Sequence, residues 1–485
     1  MSIKTKVHSS YLYLLLGFVF LFFSNGRWTL PIAIWIAPIF LIRFLRRQNP
    51  LKGYIILVGA MFISNIFIWD GLIPMSGLFY YLMSLMMGMV TALVFTIDRI
   101  YSQRIKGIVS TFVLPSIYVI MDYITISTNP GGTFGALANT QSSLTLLQLI
   151  SITGIWGITF VVFWTASVIN WLWDNAFDKF SLPKTIWVYV VPVGIIILYG
   201  QIRLARESTE STVRIASINV SKKEIQHISG VHPDTINEQI NNTFLDNCHI
   251  AAMSEAKVVF GAEAILNMIS DKEGEYLEKA KIAAQKDNIY IGLPLLIYKD
   301  NNPDAYPMNK ITWISPKGEI LFTYYKTKPT PGEGAYGDGI LRYFDSPYGR
   351  IASAICFDMD FLSLINQVHD LHIDIMLVPG NDWMDIAPYH TYAASIRAIE
   401  QGFNLVRAAS RGFSASFNYK GQLISSQNYF TTNDAILYSN VPMKGQRTVY
   451  SVVGDLFAWF CIIGFVVAII STLFHRKTDM ISTNE

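Results

Sequence analysis

The first 206 residues of this chain contain no glutamate. Charge is scarce throughout, at 15% of residues, while hydrophobic residues make up 52%. Soluble domains carry roughly 25% charged residues, so this balance excludes an ordinary soluble protein and favours a membrane class. Cysteine is equally sparse. The three thiols, Cys248, Cys356 and Cys461, are an odd number, which excludes a fully paired disulfide framework. There is no glycine-rich phosphate loop, so no nucleotide cofactor is implied. No basic run with interleaved aromatics follows a phosphate backbone, and the net charge is only +2, so no nucleic-acid partner is implied. His369 and His372 lie three apart. They lack both a carboxylate-rich neighbourhood and an HExxH pattern, so no metal is expected.

What the chain does have is long apolar runs. A helix crosses a bilayer with ~20 mostly apolar residues. Eight segments qualify approximately: 9–24, 28–45, 53–72, 75–97, 107–125, 152–173, 185–204 and 450–474. Lys4 and Lys6 precede the first, but no small-residue cleavage site follows, so it is expected to be a membrane helix and not a signal peptide. No mid-helix charge is expected to mark a transport pathway. Basic residues in short loops set orientation. With the N-terminus inside, Arg43, Arg46, Arg47, Lys52, Arg99, Arg104, Lys106, Lys184, Arg476 and Lys477 fall inside, against Arg27 alone in the short outer loops. The organisation expected is a seven-helix membrane domain over 1–204, an extracytoplasmic domain over 205–449, an eighth helix over 450–474 and a cytoplasmic tail over 475–485.

Segment 205–449 has an ordinary globular composition. Val213–Val220, Lys257–Gly261, Asn288–Leu293, Lys310–Ile314, Ile351–Ile355 and Asp374–Val378 read as strands. Asp234–Ala256 and Gly274–Gln285 have helical spacing with charged outer faces. Alternating strands and helices predict a layered α/β domain.

Three strand ends carry reactive side chains. VVFGAE ends at Glu263, where partial burial raises a carboxyl pKa towards general-base work. Ile320–Tyr325 runs into Lys326, followed by a Pro-Gly loop, and a lysine there can stabilise an oxyanion. Lys328 competes with it two positions on. Ile351–Ile355 runs into Cys356, and a helical pattern follows over Met359–His369. A thiol at that turn would be exposed on one side and favoured as thiolate by the helix N-terminus. Each residue alone has an ordinary structural reading: a packed cysteine, a dipole-complementing glutamate, a surface lysine. Arg397, Glu400 and Arg407 read as a structural charge network.

Together, Glu, Lys 63 residues later and Cys 30 residues after that resemble the nitrilase superfamily over about residues 211–442. Pro379–Trp383 (PGNDW), Pro388–Thr391 (PYHT), Arg397–Gly402 (RAIEQG) and Leu405–Arg407 (LVR) resemble its downstream segments. Insertion between membrane helices narrows the resemblance to apolipoprotein N-acyltransferases, and the segment from Gly131 to Phe160 is similar to that family as well. The resemblance implies an α-β-β-α sandwich and a Glu263–Lys326–Cys356 triad of base, oxyanion stabiliser and nucleophile. It also implies Glu333 as a supporting glutamate and Asp358 in the acidic position of a Cys-aromatic-acid motif, where the family commonly has Glu. The loop Lys328–Glu333 departs from the family's usual His-Leu-Val-Pro-Phe-Gly-Glu. The implied reaction moves an acyl chain from a phospholipid donor, through a cysteine thioester, to the amine of a lipoprotein acceptor at the inner membrane. A membrane-anchored amidase, or transfer to a different amine, shares the same triad and stays open.

Overall fold

The computed structural model describes residues 3–175, 184–206, 211–219, 233–299 and 305–482. It divides into two compact units, one of residues 1–204 with 453–485 and one of residues 205–452.

The first unit is helical. Among the described residues, five helices are long and apolar enough to cross a membrane: Pro50–Ile68, Gly77–Ser102, Ile108–Thr128, Trp156–Asn175 and Lys184–Ala205. The first of these starts where a helix should. Pro50 occupies its opening position and Asn49 Oδ1 accepts from the Leu51 N–H at 3.1 Å, satisfying an N-terminal donor. The other predicted spans are also helical, over Ile3–Leu21, Ala33–Arg46 and Leu456–Ser482. Ala33–Arg46 is only 14 residues, or about 21 Å, short of the ~30 Å hydrocarbon core. Its last turn carries Arg43 and Arg46, both paired with Asp174. Two carboxylates do lie within the helices. Asp98 is buried within Gly77–Ser102, and Asp122, within Val113–Thr128, accepts from Thr159 Oγ1 at 2.8 Å. Both carboxylates are tolerated because they face other protein groups.

Among the described residues, the second unit contains thirteen strands in two sheets. In chain order they are β1 Thr212–Ile218, β2 Val258–Gly261, β3 Leu266–Ile269, β4 Tyr290–Tyr298, β5 Met308–Ile314, β6 Ile320–Tyr325, β7 Arg342–Ser346, β8 Gly349–Ser353, β9 Ile375–Asn381, β10 Asn404–Ser410, β11 Phe413–Phe417, β12 Leu423–Asn428 and β13 Ile436–Pro442. The first sheet runs β13-β1-β2-β4-β5-β6, with β3 alongside β4; the second runs β12-β11-β10-β9-β8-β7. Each has a parallel centre, β1-β2-β4 in one and β8-β9-β10 in the other, and antiparallel edges. All six predicted strands are present, although Val220, the predicted end of the first, lies outside the described residues.

The two sheets share a core. Ile215, Phe260 and Trp313 from the first pack with Ile351, Ile375, Leu377 and Val406 from the second. Helices Pro233–Met253 and Ser270–Asp287 cover the outer face of the first sheet through Phe244, Cys248, Tyr276 and Ala280. Met376, Val378 and Leu405 point the other way, to Ala394 and Ala398 of helix Tyr389–Gln401. Successive side chains on a strand face opposite sides, so β9 and β10 feed both layers. The result is an α-β-β-α sandwich.

Candidate active site

Open α/β sheets place ligands beyond the carboxyl ends of their parallel strands. Here those ends from the two sheets are stitched together. The Glu263 N–H, two residues past β2, donates to the Gly380 carbonyl of β9 at 3.2 Å. Asn219, just past β1, donates from Nδ2 to the Ala409 carbonyl of β10 at 2.8 Å. Trp313 Nε1 on β5 donates to Ser353 Oγ on β8 at 2.9 Å. Side chains from both sheets therefore meet at one edge.

Glu263, Lys326 and Cys356 are all buried there. Lys326 Nζ donates to Glu263 Oε1 at 2.8 Å and to Glu333 Oε2 at 2.6 Å. Burial alone would push the ammonium pKa down, but the charges of Glu263, Cys356 and Glu333 outweigh it and leave it raised. Lys326 is therefore a cation held between two carboxylates and close enough to the Cys356 sulfur to feel it. Lys328 is elsewhere: its Nζ sits 4.5 Å from the centre of the Phe361 ring, a cation–π contact.

Asn309, on β5, completes the pair and was not singled out from sequence. The Lys326 N–H donates to the Asn309 carbonyl, and Asn309 Nδ2 donates to Glu263 Oε1 and to Glu333 Oε1, each at 2.8 Å. Glu333 also accepts from the Thr330 N–H at 2.8 Å and Thr330 Oγ1 at 2.9 Å. The tight turn requires Gly332, whose φ is +95°. Burial works against the Glu333 carboxylate, but Lys326 and the hydrogen bonds from Lys326, Thr330 and Asn309 hold its pKa below the usual range. By contrast, both side-chain hydrogen bonds that the described residues give Glu263 fall on Oε1, so Oε2 is left to take a proton.

Cys356 differs from expectation in two ways. It is 5% exposed, not open on one side. Nor does it begin a long helix: it opens a five-residue 3-10 turn, Cys356–Asp360, and Met359–His369 is broken into the short pieces Leu362–Ile365 and Gln367–Leu371. The positive charge at the sulfur therefore comes from side chains, not from a helix macrodipole. Cys356 has φ +49°, a left-handed conformation that costs a non-glycine residue ~1–3 kcal/mol. Asp358 holds that turn. It accepts from the backbone N–H of Ile355 at 3.1 Å, of Thr327 at 3.1 Å and of Lys328 at 2.7 Å, and from Tyr324 OH at 2.8 Å. It thereby ties the cysteine turn to the strand end that presents Lys326. Its burial pushes the carboxyl up to about 6 against these hydrogen bonds.

Arg407 is not part of a network with Arg397 and Glu400. Arg397 pairs with Glu400 at 2.6 Å on one helix. Arg407, fully buried on β10, donates to both oxygens of Asp382 at 2.7 and 2.8 Å and to Thr391 Oγ1 at 2.7 Å, and its Nη2 lies 3.9 Å from Cys356 Sγ. His390 sits beside it, 2.8 Å from Asp360 and 3.2 Å from Asp382. Cys356, Asp382 and His390 have ligand atoms within 4.8 Å of one another. The Arg407 guanidinium already contacts all three, so a metal ion there would meet a buried cation.

Two family models match the chain: the apolipoprotein N-acyltransferase N-terminal domain over residues 14–168, and carbon-nitrogen hydrolase over residues 229–449. The chain is thus a membrane enzyme of the carbon-nitrogen hydrolase superfamily. It is 23% identical to the apolipoprotein N-acyltransferase of Geobacter metallireducens over 406 residues, covering 77% of this chain and 76% of that one. It is 24% identical to the Rickettsia prowazekii protein of the same name over 352 residues, covering 67% and 68%. Within the superfamily it belongs to the apolipoprotein N-acyltransferase family. Among solved structures, an amidase from Nesterenkonia sp. aligns at 15% identity with a TM-score of 0.39, covering 49% of this chain and 93% of that one.

Proposed function

We propose that this enzyme moves a fatty acyl chain from a phospholipid to the N-terminal amine of a diacylglyceryl-cysteine lipoprotein, through a thioester on Cys356. The observation that carries the reading is one buried lysine, Lys326, bridging Glu263 and Glu333 and feeling the charge of Cys356. That arrangement provides a base, an oxyanion donor and a nucleophile in one place.

The chemistry follows in two halves. Glu263 takes the Cys356 proton and the sulfur attacks the donor ester carbon. Lys326 and the Phe357 backbone N–H stabilise the oxyanion. The ester C–O bond breaks, the lysophospholipid oxygen takes the proton from Glu263, and the thioester remains. The lipoprotein amine then attacks the thioester, gives its proton to Glu263, and the C–S bond breaks to free the thiolate. No ATP is needed, because the thioester is itself energetic enough to acylate an amine.

The membrane-length helices support transfer over hydrolysis, since donor and acceptor both reside in a bilayer and confinement supplies orientation. We place the enzyme in the inner membrane, with both termini cytoplasmic and residues 205–449 extracytoplasmic, on the asymmetry of basic residues in the loops. The test is mass spectrometry of lipoprotein N-terminal peptides from cells with the active enzyme and with Cys356→Ala. A third acyl chain that disappears in Cys356→Ala is the expected result. Identical diacyl peptides in both strains, with acylated Cys356 in the active one, would remove the lipoprotein as acceptor.

A further inference from the structure

We propose that Arg407 is the built-in countercharge of Cys356: a buried guanidinium, aimed by Asp382 and Thr391, that keeps the nucleophile's sulfur in its anionic form. The inference rests on the reading of Cys356 as nucleophile and assigns a role to a residue outside the Glu-Lys-Cys set.

The geometry is specific. An arginine on a central strand of a two-sheet core is costly unless its donors are used. Here Nη1 is taken by Asp382 and Thr391, while Nη2 donates to Asp382 and faces Cys356 Sγ. The bidentate Asp382 contact fixes the plane of the guanidinium and so fixes where Nη2 points. The fold also leaves room for it. A Cβ at Gly380 would lie 2.7 Å from Nη2 and 2.8 Å from Cζ, so β9 is bare where the guanidinium passes. The same Gly380 gives its carbonyl to the Glu263 N–H, so one strand position sets both the base and the arginine.

Lys326 and Arg407 are cations that feel Cys356 directly. His390 is pressed down by burial and by Arg407, but Asp360 and Asp382 prevail and raise its pKa, making it a third cation. Glu263 and Asp382 oppose these from their own strand ends, and Asp360 sits on the Nε2 side of His390. The Cys356 proton goes to Glu263, whereas the guanidinium keeps its own protons at every pH the enzyme meets. Arg407 thus acts by field alone, on the thiolate before acylation and on the thiolate that leaves afterwards.

The test is the pH dependence of iodoacetamide alkylation at Cys356, read by peptide mass spectrometry on the purified full-length protein in detergent. Cys248 and Cys461 are internal controls. Arg407→Gln should slow Cys356 alkylation about tenfold to a hundredfold at neutral pH, with the gap closing as the pH is raised. Arg407→Lys, which keeps the charge, should recover most of the rate. Should Arg407→Gln fail to fold around its unpaired aspartate, Arg407→Gln/Asp382→Asn removes that burden and is expected to behave as described for Arg407→Gln. A wild-type alkylation profile in a folded Arg407→Gln or double variant overturns the inference. So does a loss that is equal at every pH and shared by Arg407→Lys, which would mark a purely structural arginine. The nucleophile reading fails separately, by turnover in Cys356→Ala, which none of these alkylation results touches.

Discussion

Asn309 is the least conspicuous residue of the site, and replacing it tests the arrangement most sharply. Asn309→Leu keeps nearly the same shape and removes one donor group that serves two carboxylates, at 2.8 Å each. Hydrogen bonds to charged groups are worth about 1.5–3 kcal/mol apiece. Losing both therefore costs about 3–6 kcal/mol if nothing replaces them. Lys326 still joins Glu263 to Glu333, so the lower end is expected. A domain of 150–250 residues loses about 2–4 °C of melting temperature per kcal/mol, which gives a drop of roughly 6–12 °C. Activity should fall further than stability suggests, because Glu263 loses one of the two bonds that fix its side chain. We expect single-turnover acylation of Cys356 to slow about a hundredfold, equivalent to ~2.7 kcal/mol of barrier. Asn309→Asp should be worse at neutral pH, since it sets a third carboxylate against two, and acidification should partly restore it. The assay pairs calorimetric melting with intact-mass measurement of the acyl-enzyme over time. Wild-type acylation in a folded Asn309→Leu would refute the claim that Asn309 positions the base.

Lys326→Met should abolish acylation while Lys328→Met lowers it only a few-fold, because Lys326 bridges both glutamates and Lys328 rests on the Phe361 ring; turnover assays of the two variants decide this, and the reverse order would mean that the wrong lysine has been placed in the site. Glu263→Gln should block formation of the acyl-enzyme, whereas Glu333→Gln should leave slow formation of the same adduct, both read by intact mass. Asp358 titrates near 6 in the folded domain, above the ~3.9 of an unfolded aspartate. A raised carboxyl pKa contributes stability that is fully present below the unfolded value and is lost as the pH rises through about 6. The melting temperature of the wild type relative to Asp358→Asn should therefore climb as the pH falls from 7 to 4, and a flat difference would show that Asp358 does not titrate there.

The strands, and the strand-end positions of the three candidate residues, were legible because each candidate closes an apolar run whose period and β-branched content announce a strand. Glu263, Lys326 and Cys356 share that signal. Asn309 does not, since a neutral amide inside a strand says nothing until β5 is known to lie beside β6 with the Asn309 carbonyl facing the Lys326 N–H. Arg407 was grouped with Arg397 and Glu400 by proximity in sequence, but the turn at Gly402 sends the helix and β10 to different layers. Its real partner, Asp382, lies at the end of the neighbouring parallel strand. The helix predicted after Cys356 fails at Phe361, where φ −106° and ψ 108° put an extended residue between two short turns. A periodic pattern cannot show that break, because Met359, Leu362 and Ile365 keep helical spacing across it.

Two glutamates on one lysine invite the question of which does the chemistry, and the proposal that Glu263 is the base rests on their surroundings. Glu333 receives four donors: Asn309 on Oε1, and Lys326, the Thr330 N–H and Thr330 Oγ1 on Oε2. Every one of them favours the charged form, which is why its pKa falls despite burial. A carboxylate held this way gives up hydrogen bonds and an ion pair on protonation and acts as a fixed anion. Glu263 receives two donors on a single oxygen. Its other oxygen can exchange a proton at small cost in hydrogen bonding. Lys326 then shifts its weight between the two: when Glu263 is protonated, Glu333 still holds the ammonium, so the oxyanion donor stays in place while the base changes charge. A lone Glu-Lys pair would loosen at that moment. In the proposed reaction the second glutamate and Asn309 would keep Lys326 fixed through both halves, which fits the close tie between the turn Thr330–Glu333 and the strand end it follows.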